Sequence, residues 1–197
     1  MIPSWLLHGV LADRKWCVAG GYAACPALAV DIDLWIYDIK DEDLAGRQSA
    51  IAAALEDSVG MWNRGRPHWP EKRFRFEREN EAMVLPIYDQ IENRIEKVGV
   101  LTLPSCRKVK PIHVLVTTAP DPGSLISGFD VTTHAVAIDC EGRVWEGHYF
   151  TGPHIKPAVT RATPKTQARL DRICKRFGHE SYVVNPNGLL SKDKVPS

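Results

Sequence analysis

The run VDIDLWIY, residues 30–37, sets Asp31 and Asp33 two positions apart among branched apolar residues. In an extended chain such side chains leave the backbone on one side, so both carboxylates converge on one small volume. Two carboxylates that close repel each other unless a proton or a cation lies between them. Oxygen donors at this spacing suit Mg2+, which takes one or two carboxylates and completes its shell with water and substrate phosphates. The pair would also suit the wet face of an edge strand. Upstream, Gly20 and Gly21 precede a short apolar stretch. Backbone N–H groups at a glycine turn leading into a helix favour phosphate. A phosphate site and a metal site would then face each other across a cleft. Near the C-terminus, Lys165, Arg169, Arg172 and Arg176 recur on one side of a helical pattern. They form either a rail for phosphates or a solvated face.

These groups need a scaffold. VDIDLWIY alternates, with Val30, Ile32, Leu34 and Ile36 on one face and Asp31, Asp33, Trp35 and Tyr37 on the other, which predicts a strand. Leu44, Ile51, Leu55, Val59 and Trp62 recur at helical spacing behind early acids, which predicts a helix over 42–62. Residues 4–13 have a helical pattern, residues 15–18 an extended one, and Tyr22–Leu28 has room for a turn or two of helix before Pro26 interferes. Residues 81–104 fit a helix followed by a strand, or two strands. KVKPIHVLVTT predicts a strand, PDPGSL a loop, and FDVTTHAVAIDCEGRVWEGHYF a hairpin turning at Glu141 and Gly142. TPKTQARLDRICKRF predicts a helix over 163–177, with Thr163 as N-cap, Pro164 beside it and Gly178 as its stop. The order of elements predicts an α+β fold, a mixed sheet flanked by helices, in one domain over residues 1–184 with a loose tail over 185–197.

Composition narrows the classes. The chain has 197 residues, 44% hydrophobic and 25% charged, which is ordinary for one globular domain. A net charge of +1 means that any nucleic-acid surface must be a local patch. The five cysteines show no CxxC pair, which predicts a reducing, cytoplasmic setting. No stretch has the apolar length of a membrane span, and no secretory leader is evident.

The stretch AGGYAACPALAVDIDLW resembles the signature of the nucleotidyltransferase superfamily of the DNA polymerase beta type: a GG or GS turn, a short helix, then a strand bearing an aspartate pair. VKPIHVLVTTAPDPGSLISGFDVTTHAVAIDCEGRVW is similar to a segment of its virus- and phage-associated branch, and TPKTQARLDRICKRFG to the basic helix that follows there. The resemblance implies a nucleotidyltransferase-like fold and a two-metal Mg2+ site. The expected activity moves a nucleoside monophosphate from an NTP, such as ATP, to a hydroxyl of an RNA, a tRNA or a protein. It assigns Asp31 and Asp33 to catalysis and metal binding, and Gly20, Gly21 and Tyr22, with Lys165, Arg169 and Arg172, to the nucleotide. Tyr22 stands where the family often has a small hydroxyl residue. The family also places a third carboxylate on a neighbouring strand, where this chain has His113. A histidine can bind metal but removes the negative charge that helps hold a second Mg2+. Asp130 in GFDV is the favoured substitute, with Asp139 as another. Without a third carboxylate, the chain would be an inactive nucleotide- or RNA-binding module of a phage or mobile element.

WNRGRPHWPEKRFRFER, residues 62–78, interleaves cations with Trp62, Trp69, Phe74 and Phe76. Such alternation suits single-stranded RNA or a tRNA end, and equally an edge strand with its arginines outside.

Overall fold

A computed structural model describes residues 2–69, 72–86, 92–106, 108–150, 152, 154, 157–160, 165–180, 182–184 and 190–192. In chain order its elements are β1 (Trp16–Ala19), α1 (Gly21–Ala24), β2 (Ile32–Ile36), α2 (Leu44–Arg64), β3 (Arg75–Arg78), β4 (Ala82–Pro86) and β5 (Glu92–Thr102). They continue with β6 (Ile112–Thr117), α3 (Pro122–Ser127), β7 (Val136–Asp139), β8 (Val144–Glu146), α4 (Thr166–Phe177), β9 (Tyr182–Val184) and β10 (Leu190–Lys192). The expected N-terminal helix narrows to a π-helical turn over Leu6–Val10.

One mixed sheet runs in the order β3-β5-β6-β2-β1-β7-β8, with β4 also pairing β5. β2 is central: it lies antiparallel to β1 and parallel to β6. The fold is α+β, a mixed sheet with helices on its faces. Ladder pairing starts at Ile32, where the Ile32 amide donates to the Pro111 carbonyl over 2.9 Å. Val30 therefore lies outside the strand and is 59% exposed, although the alternation placed it on the buried face.

The two faces of the sheet do different work. On one, α2 buries Leu44, Ile51, Leu55 and Val59, spaced for a single helical stripe. These pack with Ile32, Leu34 and Ile36 of β2 and Ile112, Val114 and Val116 of β6. The opposite face carries Cys17, Trp35 and Leu115, which pack with Leu125 and Ile126 of α3. α4 makes a smaller cluster of its own through Leu170, Ile173 and Cys174, with Val131 and Tyr182.

β5 changes face partway along. The ladder to β6 shifts register between Lys97 and Gly99, a β-bulge at Val98. Ile95 packs on the α3 side, whereas Leu101, also odd-numbered, packs under α2. Gln48 of α2 holds the bulge, its side-chain amide donating to the Lys97 carbonyl over 3.0 Å and the Glu79 carbonyl over 2.9 Å.

Two expectations change. PDPGSL is not a loop: Pro122–Ser127 is a helix, with the Asp121 carboxylate accepting from the Ser124 amide over 2.7 Å. The ambiguous stretch 81–104 resolves into two strands where it is described, β4 and β5. Of the expected tail, residues 190–192 form β10, antiparallel to β9. The expected cap Thr163 and its neighbour Pro164 lie outside the described residues, as does the rest of the tail. Among the described residues, no helix is long and apolar enough to cross a membrane.

Candidate active site

β1 ends in the glycine turn, and its register decides what the turn meets. Ala19 pairs with Asp33, so the chain leaves the sheet beside that carboxylate. Gly20 then adopts φ 81°, a conformation that suits only glycine. A Cβ placed on Gly20 would sit 3.5 Å from Oδ2 of Asp33. The sequence places these groups ten or more residues apart, and the antiparallel pair brings them together.

The turn, Asp33, His113 and Asp130 line one cavity of about 310 Å³, with Lys165, which precedes α4, and Arg169 of α4 also at its wall. The Gly20 amide is spent on the Val136 carbonyl, over 3.0 Å. The amides of Gly21, Tyr22 and Ala23 open α1 and have no backbone partner among the described residues. Tyr22, expected at the nucleotide, instead packs towards the α2 side of the sheet and does not line the cavity.

Asp31 and Asp33 are close enough to affect each other. Burial, and then the Asp31 charge, push the Asp33 carboxyl up to about 6, against the pull of His113, Arg169 and Lys97. No described residue donates a hydrogen bond to the Asp33 carboxylate. His113 pairs with Asp33 across the parallel ladder, and its Nε2 lies 3.9 Å from Oδ2 of Asp31. A carboxylate pair is the oxygen donor type that Mg2+ takes, whereas the imidazole beside it is a softer donor. Among the described residues there is no group of three or more His, Cys, Asp or Glu arranged to hold a metal ion.

The other acidic candidates differ sharply. Asp130 lines the cavity, but both of its oxygens are engaged: Oδ2 accepts from the Thr166 hydroxyl over 2.7 Å, and Oδ1 accepts from Arg169. Asp139 lies in the β7–β8 hairpin and does not line the cavity. Its carboxylate accepts from the Glu141 and Arg143 amides, the Arg143 side chain and the Trp145 indole N–H.

The cationic stripe divides. Lys165 and Arg169 line the cavity, and Arg176 reaches the glycine turn, 3.5 Å from where a Cβ on Gly21 would lie. Arg172 is exposed and does not line the cavity. His134 also lines the cavity beside Gly21, and its Nε2 is buried without a hydrogen-bond partner. Burial, then the charges of Arg176 and Arg169, hold its pKa down at about 4, so it is neutral at physiological pH. His134 had no motif to mark it: only the fold brings the segment before β7 against the turn after β1. The same holds for Lys97, which shares the face of Ile95 just before the bulge in β5 and lines the cavity.

The basic and aromatic segment lies elsewhere. Trp62 and Phe74 pack with Trp5 against the α2 side of the sheet. Arg66 stacks on Trp62 and Lys72 on Trp69, each 3.4 Å from the ring centroid. Trp62 and Phe74 are thereby used inside the protein, on the face away from the cavity.

No protein-family model, no curated protein and no solved structure matches this chain. A functional reading therefore rests on the residues and their placement.

Proposed function

We propose that the chain is a Mg2+-dependent nucleotidyltransferase with a fold of the DNA polymerase beta type. It would transfer a nucleoside monophosphate from an NTP to a hydroxyl of an RNA, a tRNA or a protein. The observation that carries this reading is the meeting of the Gly20–Gly21 turn with Asp33 in one cavity, with Lys165 and Arg169 at its wall. Asp31 does not line the cavity but is near enough for its charge to raise the Asp33 carboxyl.

Asp31 and Asp33 are the residues that would hold the metal. Mg2+ bound there would neutralise phosphate charge and acidify the attacking hydroxyl. The free amides of α1 and the side chains of Lys165 and Arg169 grip the triphosphate and orient its α-phosphorus. The acceptor oxygen forms a bond to that phosphorus, the bond to the β-phosphate bridge breaks, pyrophosphate leaves and the hydroxyl proton passes to water. Neutral His134, beside Gly21, adds no charge at this end of the cavity.

Transfer from α-32P-labelled NTPs to RNA, tRNA and protein tests the reading. Wild type should label one of the acceptors. Asp31→Ala and Asp33→Ala should each lose at least about 100-fold of that activity. Equal labelling by all three proteins overturns the assignment.

A second reading has its own support. His113 stands in register with Asp33 where the resemblance expects a carboxylate, and Asp130 is already engaged by Thr166 and Arg169. On that reading the chain binds a nucleotide or RNA without turning it over. Calorimetry separates the two: nucleotide binding that is indifferent to Mg2+, with no label transfer, favours the binding module.

A further inference from the structure

The cavity has a second half that the phosphate and metal chemistry leaves unused. On the sheet surface, Asp33 pairs with His113, and one step along the same face Trp35 pairs with Leu115. Residues two apart on a strand are separated by about 6.6 Å, so across β2 and β6 the floor changes from charged to apolar over that distance, with Lys97 of β5, paired to Leu115, as a cation at its edge. The change runs away from the glycine turn, because Ala19 faces Asp33 whereas Cys17 faces Trp35. Met83 and Leu85 of the edge strand β4 and the ring of Phe129 close the apolar half. Phe129 spans both halves: its ring is 6.1 Å from that of Trp35, centroid to centroid, and 3.8 Å from where a Cβ on Gly20 would lie. The Trp35 indole N–H is buried without an acceptor.

We propose that this half is a nucleobase subsite, formed by Trp35, Leu115, Met83, Leu85 and Phe129, which holds the heteroaromatic ring of the nucleotide whose phosphates lie at the Gly20–Gly21 turn. The inference rests on the nucleotide reading above and names what that reading leaves open. Apolar and aromatic walls suit the faces of a planar base, which stacks on them whatever its identity. The edge of a base carries ring-nitrogen and carbonyl acceptors for the unpartnered indole N–H. A volume of about 310 Å³ is at the small end of ligand sites, enough for one nucleotide and not for an oligonucleotide. The site therefore recognises a mononucleotide, and a long acceptor must approach from outside.

The test is calorimetric titration of ATP, GTP, CTP, UTP and inorganic tripolyphosphate, each with Mg2+, into wild type, Met83→Trp and Trp35→Phe, with folding checked by circular dichroism. Wild type should bind at least one nucleotide about 10-fold or more tightly than tripolyphosphate. Met83→Trp fills the apolar half from the edge strand and should erase that margin, while tripolyphosphate affinity stays within about 2-fold. Trp35→Phe keeps a ring but removes the donor, and should narrow the margin by about 2- to 10-fold. Equal affinity for all five compounds in wild type, or a margin that survives in both variants, overturns the base subsite and leaves the phosphate reading standing. No binding of any of the five overturns both.

Discussion

At the residue scale, two aspartates on the strands either side of β1 are pulled in opposite directions, one at the candidate site and one in a hairpin. Asp33 has no donor, and burial and Asp31 raise its carboxyl to about 6. A folded pKa above the unfolded value of about 3.9 means that the folded state keeps a proton the unfolded chain releases. Stability then falls as pH rises from about 4 to 6 and stays reduced above that range. Without metal, Asp33→Asn should be more stable than wild type at pH 7.5 by on the order of 2 kcal/mol, with the difference gone at pH 4. Urea unfolding at the two pH values measures this, and added Mg2+ should stabilise wild type alone. Asp139 is the reverse case. Burial opposes its ionisation, but hydrogen bonds from Trp145, Arg143 and Glu141 outweigh that and hold the carboxyl at about 2. Its contribution is present above the unfolded value and is lost as pH falls through about 2. Asp139→Asn should cost about 2–3 kcal/mol at pH 7, a gap that closes as the pH approaches 2. Both residues are aspartates in apolar, strand-like runs, so sequence alone could not tell them apart. The difference lies in donors that the β7–β8 hairpin folds onto one carboxylate and that β2 withholds from the other.

At the scale of elements, periodicity was readable wherever one face stayed buried along the whole element. α2 and β2 kept such a face and were legible, as was the core of α4. β5 did not, because the bulge at Val98 reverses which residues face α2. An alternation that changes phase midway reads as neither strand nor helix, and residues 81–104 were ambiguous for that reason. α3 was overlooked for a different cause. Asp121 and Pro122 are a sound N-cap and first-turn pair, but the helix has only six residues, too few for a period to show. The bulge also yields a test. A Cβ on Gly99 would collide with the Glu77 carbonyl of β3 and lie 2.7 Å from the Phe76 ring. Backbone cannot step aside there as a flexible side chain would. Gly99→Ala should lower stability by roughly 3 kcal/mol or more, read as a lower urea midpoint. It should also disturb Lys97 at the cavity, whereas Gly46→Ala, where nothing lies within 4 Å, should not destabilise.

At the scale of the whole molecule, the candidate site exists only because α4, far along the chain, is fastened over a sheet face set by β1, β2 and β6. Its own core is small, and the fastening to the cavity is polar: Asp130 holds Thr166 and Arg169. Thr166 is fully buried and Asp130 nearly so, whereas the Arg169 side chain is 40% exposed. The carboxylate therefore neutralises one end of a cation that also lines the cavity, and leaves that cation partly open to a ligand. This arrangement supports a positioning role for Asp130 through α4, in place of the third catalytic carboxylate that the sequence suggested. The two roles separate in one variant. If Asp130 positions α4, Asp130→Ala should cost about 3 kcal/mol in urea unfolding, because it removes the partner of a buried hydroxyl and of a guanidinium. Mg2+ binding measured without nucleotide should be unchanged within about 2-fold, since Asp31 and Asp33 are untouched, while tripolyphosphate affinity should fall by about 10-fold as Lys165 and Arg169 lose their placement. If Asp130 instead completes the metal site, Mg2+ binding alone should weaken as much as anion binding does. Restoring the fastening without the charge, with Asp130→Asn, should recover much of the stability and the anion affinity on the positioning account and none of the Mg2+ affinity on the other.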